Sequence, residues 1–161
     1  MTDIKSSGNP LFLREEELNK SMAMLFFAYR SFTEEPDEIL APLGFGRAHH
    51  RVIFFVGRNP GISVAQLLTI LKVTKQSLSR VLGQLIRSGL VDQRQGTRDR
   101  RQRLLYLTEE GAELDRRLAT VQRTRLARAF RAAGTQAVEG FVTVLLGIMN
   151  EDERRRFERA A

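Results

Sequence analysis

The apolar positions of this chain fall into helical stripes separated by turn signals, with one short stretch that alternates instead. Between Leu11 and Phe32, the residues Leu18, Met22, Leu25, Phe26, Tyr29 and Phe32 recur at the spacing of one helix face. Pro36 just beyond is expected to stop that helix. Pro42, Gly44 and Gly46 mark 40–46 as a connector, and residues 1–10 are expected to fray. A second helix is predicted from Arg47 to Val56, ended by the turn Asn59-Pro60-Gly61. Ser63 opens a third, because Ser63-Val64-Ala65-Gln66 is a capping box, with Leu67, Leu68, Ile70 and Leu71 as its buried face. Val73 ends it and Thr74 caps a fourth, in which Leu78, Val81, Leu82, Leu85 and Ile86 make an amphipathic stripe. Gly89 then sits where a left-handed C-terminal residue is needed.

Two short strands follow, Leu90–Arg94 and Leu104–Leu107, around the tip Gln95-Gly96-Thr97-Arg98. Thr108 with Glu109 and Glu110 predicts a helix start, since acids favour the positive end of the helix dipole. That helix is expected to reach Arg131. Gly134-Thr135 breaks it and begins a last helix through Arg159. The fold class expected is therefore mainly α with a small β-wing. A winged helix-turn-helix region at 47–111 is flanked by an N-terminal arm and helix at 1–46 and by C-terminal helices at 112–161.

Composition narrows the function. The 161 residues suit a single compact chain and contain no cysteine, which removes disulfides, cysteine-based zinc sites and thiol redox sensing. The N-terminal run MTDIKSSGNP has no signal-like apolar core, and the longest apolar stretches, such as Phe141–Met149, are too short to span a bilayer. A soluble cytoplasmic protein is expected, with no membrane partner. Charge is uneven: residues 47–131 hold 18 Lys and Arg against 6 Asp and Glu, while the two ends together hold 8 against 13. A basic middle between acidic ends suits a polyanion, or is a solvated basic surface without a partner.

The fourth helix shows Lys75, Gln76, Ser77, Ser79, Arg80 and Gln84 toward its start. A helix fits the major groove, where amide and guanidinium groups pair with base edges, while small hydroxyls such as those of Ser63, Thr74, Ser77 and Ser79 donate to phosphates. The alternative is a helical hairpin with a solvated polar face. The β-hairpin crowds Arg94, Arg98, Arg100, Arg101 and Arg103 against only Asp92 and Asp99. Such a cluster suits the narrow minor groove, with Asp99 placed to hold the Arg101 guanidinium; it also suits charge protection of an edge hairpin. Catalytic signals are lacking. His49 and His50 are adjacent and share no i, i+4 partner, Glu15-Glu16-Glu17 reads as a solvated helix start, and no phosphate loop or nucleophile motif occurs. No enzyme activity, cofactor or metal is expected.

Residues 99–111 resemble the wing signature D-x-R-x-x-x-L-x-L-T-x-x-G of the multiple-antibiotic-resistance-regulator (MarR) family, matching every defined position from Asp99 and Arg101 to Gly111. Ser79-Arg80 through Leu85, then Ser88-Gly89-Leu90-Val91 and Arg94, are similar to that family's recognition helix and its exit. The resemblance implies a homodimer, held by the terminal helices, that grips pseudo-palindromic double-stranded DNA as a transcriptional regulator, with repression the expected mode. It places Lys75–Arg80 in the major groove and Arg101, oriented by Asp99, in the minor groove. It also implies a possible small aromatic or phenolic effector in a cleft that Phe26, Phe27, Arg30, His50 and Arg51 would line. A winged-helix module binding nucleic acid non-specifically, or a protein, is the competing reading. The apolar stripes of the first helix and of Val138, Phe141, Val142, Leu145, Leu146 and Met149 suit a two-fold interface; packing within one chain is the alternative.

Overall fold

The computed structural model describes residues 10–158, so the expected fraying of residues 1–9 and the helix end at Arg159 lie outside the described residues. The chain divides into two compact units, one running to Ala119 and the other beginning at Thr120.

In the first unit a single 3-10 turn at Leu11–Leu13 leads into α1 (Glu15–Leu40). Pro36 lies inside α1 and does not stop it. Proline removes a helix hydrogen bond and usually costs about 3 kcal/mol in a helix interior. Here its ring is fully buried, and the helix is held to Leu40, itself 0% exposed, by packing. Tertiary burial overrides the local breaker. Gly44 takes the left-handed conformation after a short 3-10 turn at 41–43 and frees the chain to start α2 (Arg47–Arg58).

A two-residue strand β1 (Ile62–Ser63), absent from the sequence expectations, precedes α3 (Val64–Leu71) and α4 (Lys75–Arg87). Strands β2 (Val91–Gln95) and β3 (Arg103–Leu107) complete an antiparallel sheet in the order β1-β3-β2. Ile62 pairs with Leu105, and β2 runs from Val91↔Leu107 to Gln95↔Arg103. Two residues carry no readable alternation, which is why β1 escapes a periodicity reading.

One apolar core joins these elements. Val52, Ile53 and Val56 of α2 meet Leu67 of α3, Leu78, Val81, Leu82 and Leu85 of α4, and Leu105 of β3. Leu114 and Leu118, from the start of α5 (Glu109–Ala133), close it. A polar clamp reinforces the α2–α5 contact: Arg58 Nη1 donates to both carboxylate oxygens of Asp115, at 2.6 and 2.8 Å, while its guanidinium lies 4.0 Å from the Phe54 ring centroid. Close approach at Gly57, where a Cβ would stand 2.9 Å from Asp115 Oδ2, lets the two helices come this near.

In the second unit α5 continues to Ala133. Gly134, with φ of +84°, turns the chain into α6 (Thr135–Ile148). The single last helix expected from sequence is two, since Met149 is extended and α7 (Glu151–Glu158) starts anew. The Asn150 carbonyl accepts the N–H groups of Glu153 and Arg154, and the acids Glu151, Asp152 and Glu153 occupy the positive end of α7. Phe130 and Phe141 pack edge to face at 5.6 Å. No helix among the described residues is long and apolar enough to cross a membrane.

The glycine of the Thr-x-x-Gly run has a steric reason. A Cβ on Gly111 would fall 2.0 Å from the Leu90 carbonyl oxygen, a backbone atom that has nowhere to move. Gly111→Ala is expected to destabilise the fold by about 3 kcal/mol, the range of a steric core lesion, read from the midpoint of urea unfolding.

Candidate nucleic-acid interface

The helix-turn-helix is built by two caps and one left-handed residue. Ser63 Oγ accepts the Gln66 N–H at 3.1 Å, and Gln66 Oε1 accepts the Ser63 N–H at 3.0 Å, so the expected capping box is formed. Lys72 adopts a φ of +51°, the one non-glycine left-handed residue among those described, and reverses the chain between α3 and α4. Thr74 Oγ1 accepts the Ser77 N–H at 3.1 Å and starts α4.

Two of the residues expected to contact DNA are engaged in these caps. Ser63 is only 5% exposed and its oxygen serves the α3 cap. The Thr74 hydroxyl serves the α4 cap and donates to Ser77 Oγ at 2.9 Å. Both residues place the helices. The residues left exposed on the first turns of α4 are Lys75, Gln76, Ser77, Ser79 and Arg80. Gln84, one turn further on, is half-buried and engaged by His49.

The wing divides its arginines in the same way. Arg94 Nε donates to Asp92 Oδ2 at 3.0 Å and its guanidinium lies 4.4 Å from the Tyr106 ring centroid, so it braces the base of the hairpin. At the tip, Asp99 Oδ1 accepts the backbone N–H of Arg101 at 2.9 Å, which differs from the guanidinium contact expected from sequence. An aspartate binding the backbone two residues on is the ordinary turn chemistry of that side chain. Gly96 is required inside the tip, since a Cβ there would meet the Asp99 carbonyl oxygen at 2.5 Å. Gln95 Nε2 donates to the Arg100 carbonyl oxygen at 2.9 Å and closes the loop. Arg98, Arg100, Arg101 and Arg103 remain exposed, and among the described residues none of them is in an ion pair.

The two elements converge. A cleft of about 560 Å3 has Lys75 and Ser79 of α4 on one wall and Arg101 and Arg103 of the wing on the other, over an apolar floor that includes Val64 and Leu82. On the other side of α4, Arg80 and Ser77 share a smaller cleft of about 230 Å3 with Arg51 of α2. Cations and hydroxyl or amide donors thus flank α4 on both sides, and no carboxylate is among the residues lining either cleft.

The residues expected to line an effector cleft do not all gather. Phe27 and Arg30 do meet on α1, the guanidinium 4.8 Å from the ring centroid, and Phe26 beside them is exposed. His50 is buried, whereas Arg51 turns toward Arg80. Burial pushes the His50 imidazole below its ordinary 6.5, against the pull of Asp37 and Asp115 and helped by the repulsion of Arg58. Sequence spacing showed neither this environment nor the engagement of His49, since both depend on elements distant in the chain. Among the described residues no group of three His, Cys, Asp or Glu side chains is gathered to hold a metal.

Comparison with known proteins agrees with this geometry. A profile of the MarR family matches residues 43–102, from the connector before α2 to the wing. The HTH-type transcriptional regulator PetP of Rhodobacter capsulatus is 53% identical over 160 residues, spanning 98% of this chain and 96% of that one. Among solved structures, a MarR family transcription regulator superposes with a TM-score of 0.71 at 19% identity, covering 83% of this chain and 88% of that one. A variant MarR from E. coli complexed with operator DNA superposes with a TM-score of 0.65 at 20% identity, covering 88% and 99%. At these identities the two structures bear on the fold alone.

A titration follows from His50. Its folded-state pKa is lowered, so the unfolded chain binds the proton more readily. The stability it contributes is present in full above the unfolded value and falls as pH drops below it. Unfolding midpoints should decline as the pH falls below about 6.5 in the wild type, and His50→Gln should flatten that part of the slope.

Proposed function

This chain belongs to the MarR family of DNA-binding transcriptional regulators, and from that premise we propose that it is a cytoplasmic repressor that binds a pseudo-palindromic operator as a homodimer. The observation that carries this reading is the shared cleft in which Lys75 and Ser79 of α4 oppose Arg101 and Arg103 of the wing. In the proposed complex α4 enters the major groove, and Gln76, Ser77 and Arg80 reach base edges and phosphates. The wing tip follows the backbone into the adjacent minor groove, where Arg101 meets the enhanced negative potential. Asp99 acts by restraining the tip backbone, and Arg98, Arg100 and Arg103 supply phosphate contacts whose strength falls with salt.

Exposed apolar residues supply the argument for a dimer. Met22, Leu25, Phe26 and Tyr29 of α1 are each about half exposed or more, at 49 to 74%. Phe141, Val144 and Ile148 of α6 are 41, 60 and 59% exposed. Apolar faces of this extent suit an obligate two-fold interface, and two winged regions related by a two-fold axis would read half-sites about one helical turn apart. We further propose release by a small aromatic acid, on the ground that Phe27 and Arg30 offer a ring and a guanidinium side by side.

Titration against an operator recovered by genomic footprinting and a scrambled duplex, at two salt concentrations, tests the wing. Arg101→Ala should cost about 1–3 kcal/mol of operator binding, the loss typical of a good groove contact, and Asp99→Ala less. Unchanged operator binding by Arg101→Ala at both salts would remove the wing from the interface. Arg80→Ala should weaken some operator variants more than others if it reads bases, and all of them equally if it holds a phosphate. Leu145→Glu should turn a dimer into monomers or unfolded chain by light scattering, because it would bury an unpaired charge. A wild-type protein that stays monomeric at micromolar concentration would sink the dimer.

A further inference from the structure

His49 is half-buried on the first turn of α2, and three contacts converge on its ring. Its Nδ1 accepts the Gly46 N–H at 3.1 Å, its Nε2 lies 2.6 Å from Gln84 Oε1, and the ring stacks on Phe45 with centroids 4.6 Å apart. The first contact decides the second. A backbone N–H can only donate, so Nδ1 carries the lone pair, Nε2 carries the proton, and Gln84 must present its oxygen. The result is a directional bond from the first turn of α2 to the third turn of α4, across 35 positions of sequence.

The buried core between α2 and α4 is apolar. Val52, Ile53 and Val56 face Leu78, Val81, Leu82 and Leu85, and burial of this kind is not directional. Gln84 follows Arg80 by four residues and Gln76 by eight, so the three lie along one side of α4. A bond that fixes Gln84 therefore fixes the rotation and height at which Gln76 and Arg80 are offered. We infer that His49 is a positioning residue for specificity: through Gln84 it sets the register of the recognition helix, and Gln84 acts by being held and not by touching a base.

This inference rests on the duplex-reading function proposed above. Wild-type protein is used to enrich a duplex from a random-sequence pool, and each variant is measured as the ratio of its affinity for that duplex to its affinity for a scrambled one. Gln84→Leu removes the acceptor and leaves the Gly46 contact intact, so it should fold. It should lower the ratio about fivefold, the effect of one hydrogen bond. His49→Leu should lower it as much, and the double variant no further. His49→Gln should restore it, because an amide can accept from Gly46 and donate to Gln84 together. The imidazole 15N spectrum of the free wild type should show the proton on Nε2. An unchanged ratio in Gln84→Leu overturns the inference, as does a loss in Gln84→Leu that His49→Leu does not share, which would make Gln84 a base reader. Additive losses, or a proton on Nδ1, overturn it too. Failure of the wild type to enrich any duplex would instead overturn the duplex-reading function itself.

Discussion

The direction of the wing relative to α4 depends on one knot of hydrogen bonds at Thr108. Its hydroxyl donates to the Gly89 carbonyl oxygen at 2.6 Å and accepts the Gly111 N–H at 3.0 Å. Its own N–H donates to the Leu90 carbonyl oxygen at 3.1 Å, and the Leu90 N–H returns to Leu85 at 3.0 Å. The end of α4, the start of β2, the end of β3 and the start of α5 are thereby tied at one point. Gly89, with a φ of +71°, supplies the bend, and Gly111 supplies the space. An anion held between α4 and the wing meets walls whose separation this knot sets.

Around that frame the charges sort by what surrounds them. Arg47, Arg58 and Arg94 each pair with a carboxylate and lie near an aromatic ring, and they serve as braces between elements. Arg58 with the largely buried Asp115 joins α2 to α5, and removing the arginine would leave the Asp115 carboxylate without its partner in a poorly solvated place. Among the described residues, Lys75, Arg80 and the tip arginines are in no such pair, and they stay at the surface. The positive excess of the middle of the chain is thus partly structural and partly available, and only the second part can meet a polyanion.

Much of this was legible in the sequence, because its signals are local. The capping box at Ser63, the cap at Thr74, the apolar stripe of α4, the αL glycine at position 89 and the T-x-x-G start of α5 are read within a few residues, and each depends on contacts within a turn or two of itself. The wing signature placed the hairpin for the same reason. Tertiary structure decided what depends on distant partners. Pro36 stays within α1 because its ring is buried. The strand β1 exists because Leu104 and Leu105 are there to pair with it. Asp99 holds a backbone N–H because the tip folds tightly around Gly96. Gln84, polar and well placed by sequence, is turned to His49 from 35 residues away. Periodicity states which face of a helix is apolar; it does not state which polar group will find a partner, because that requires knowing what lies across the gap.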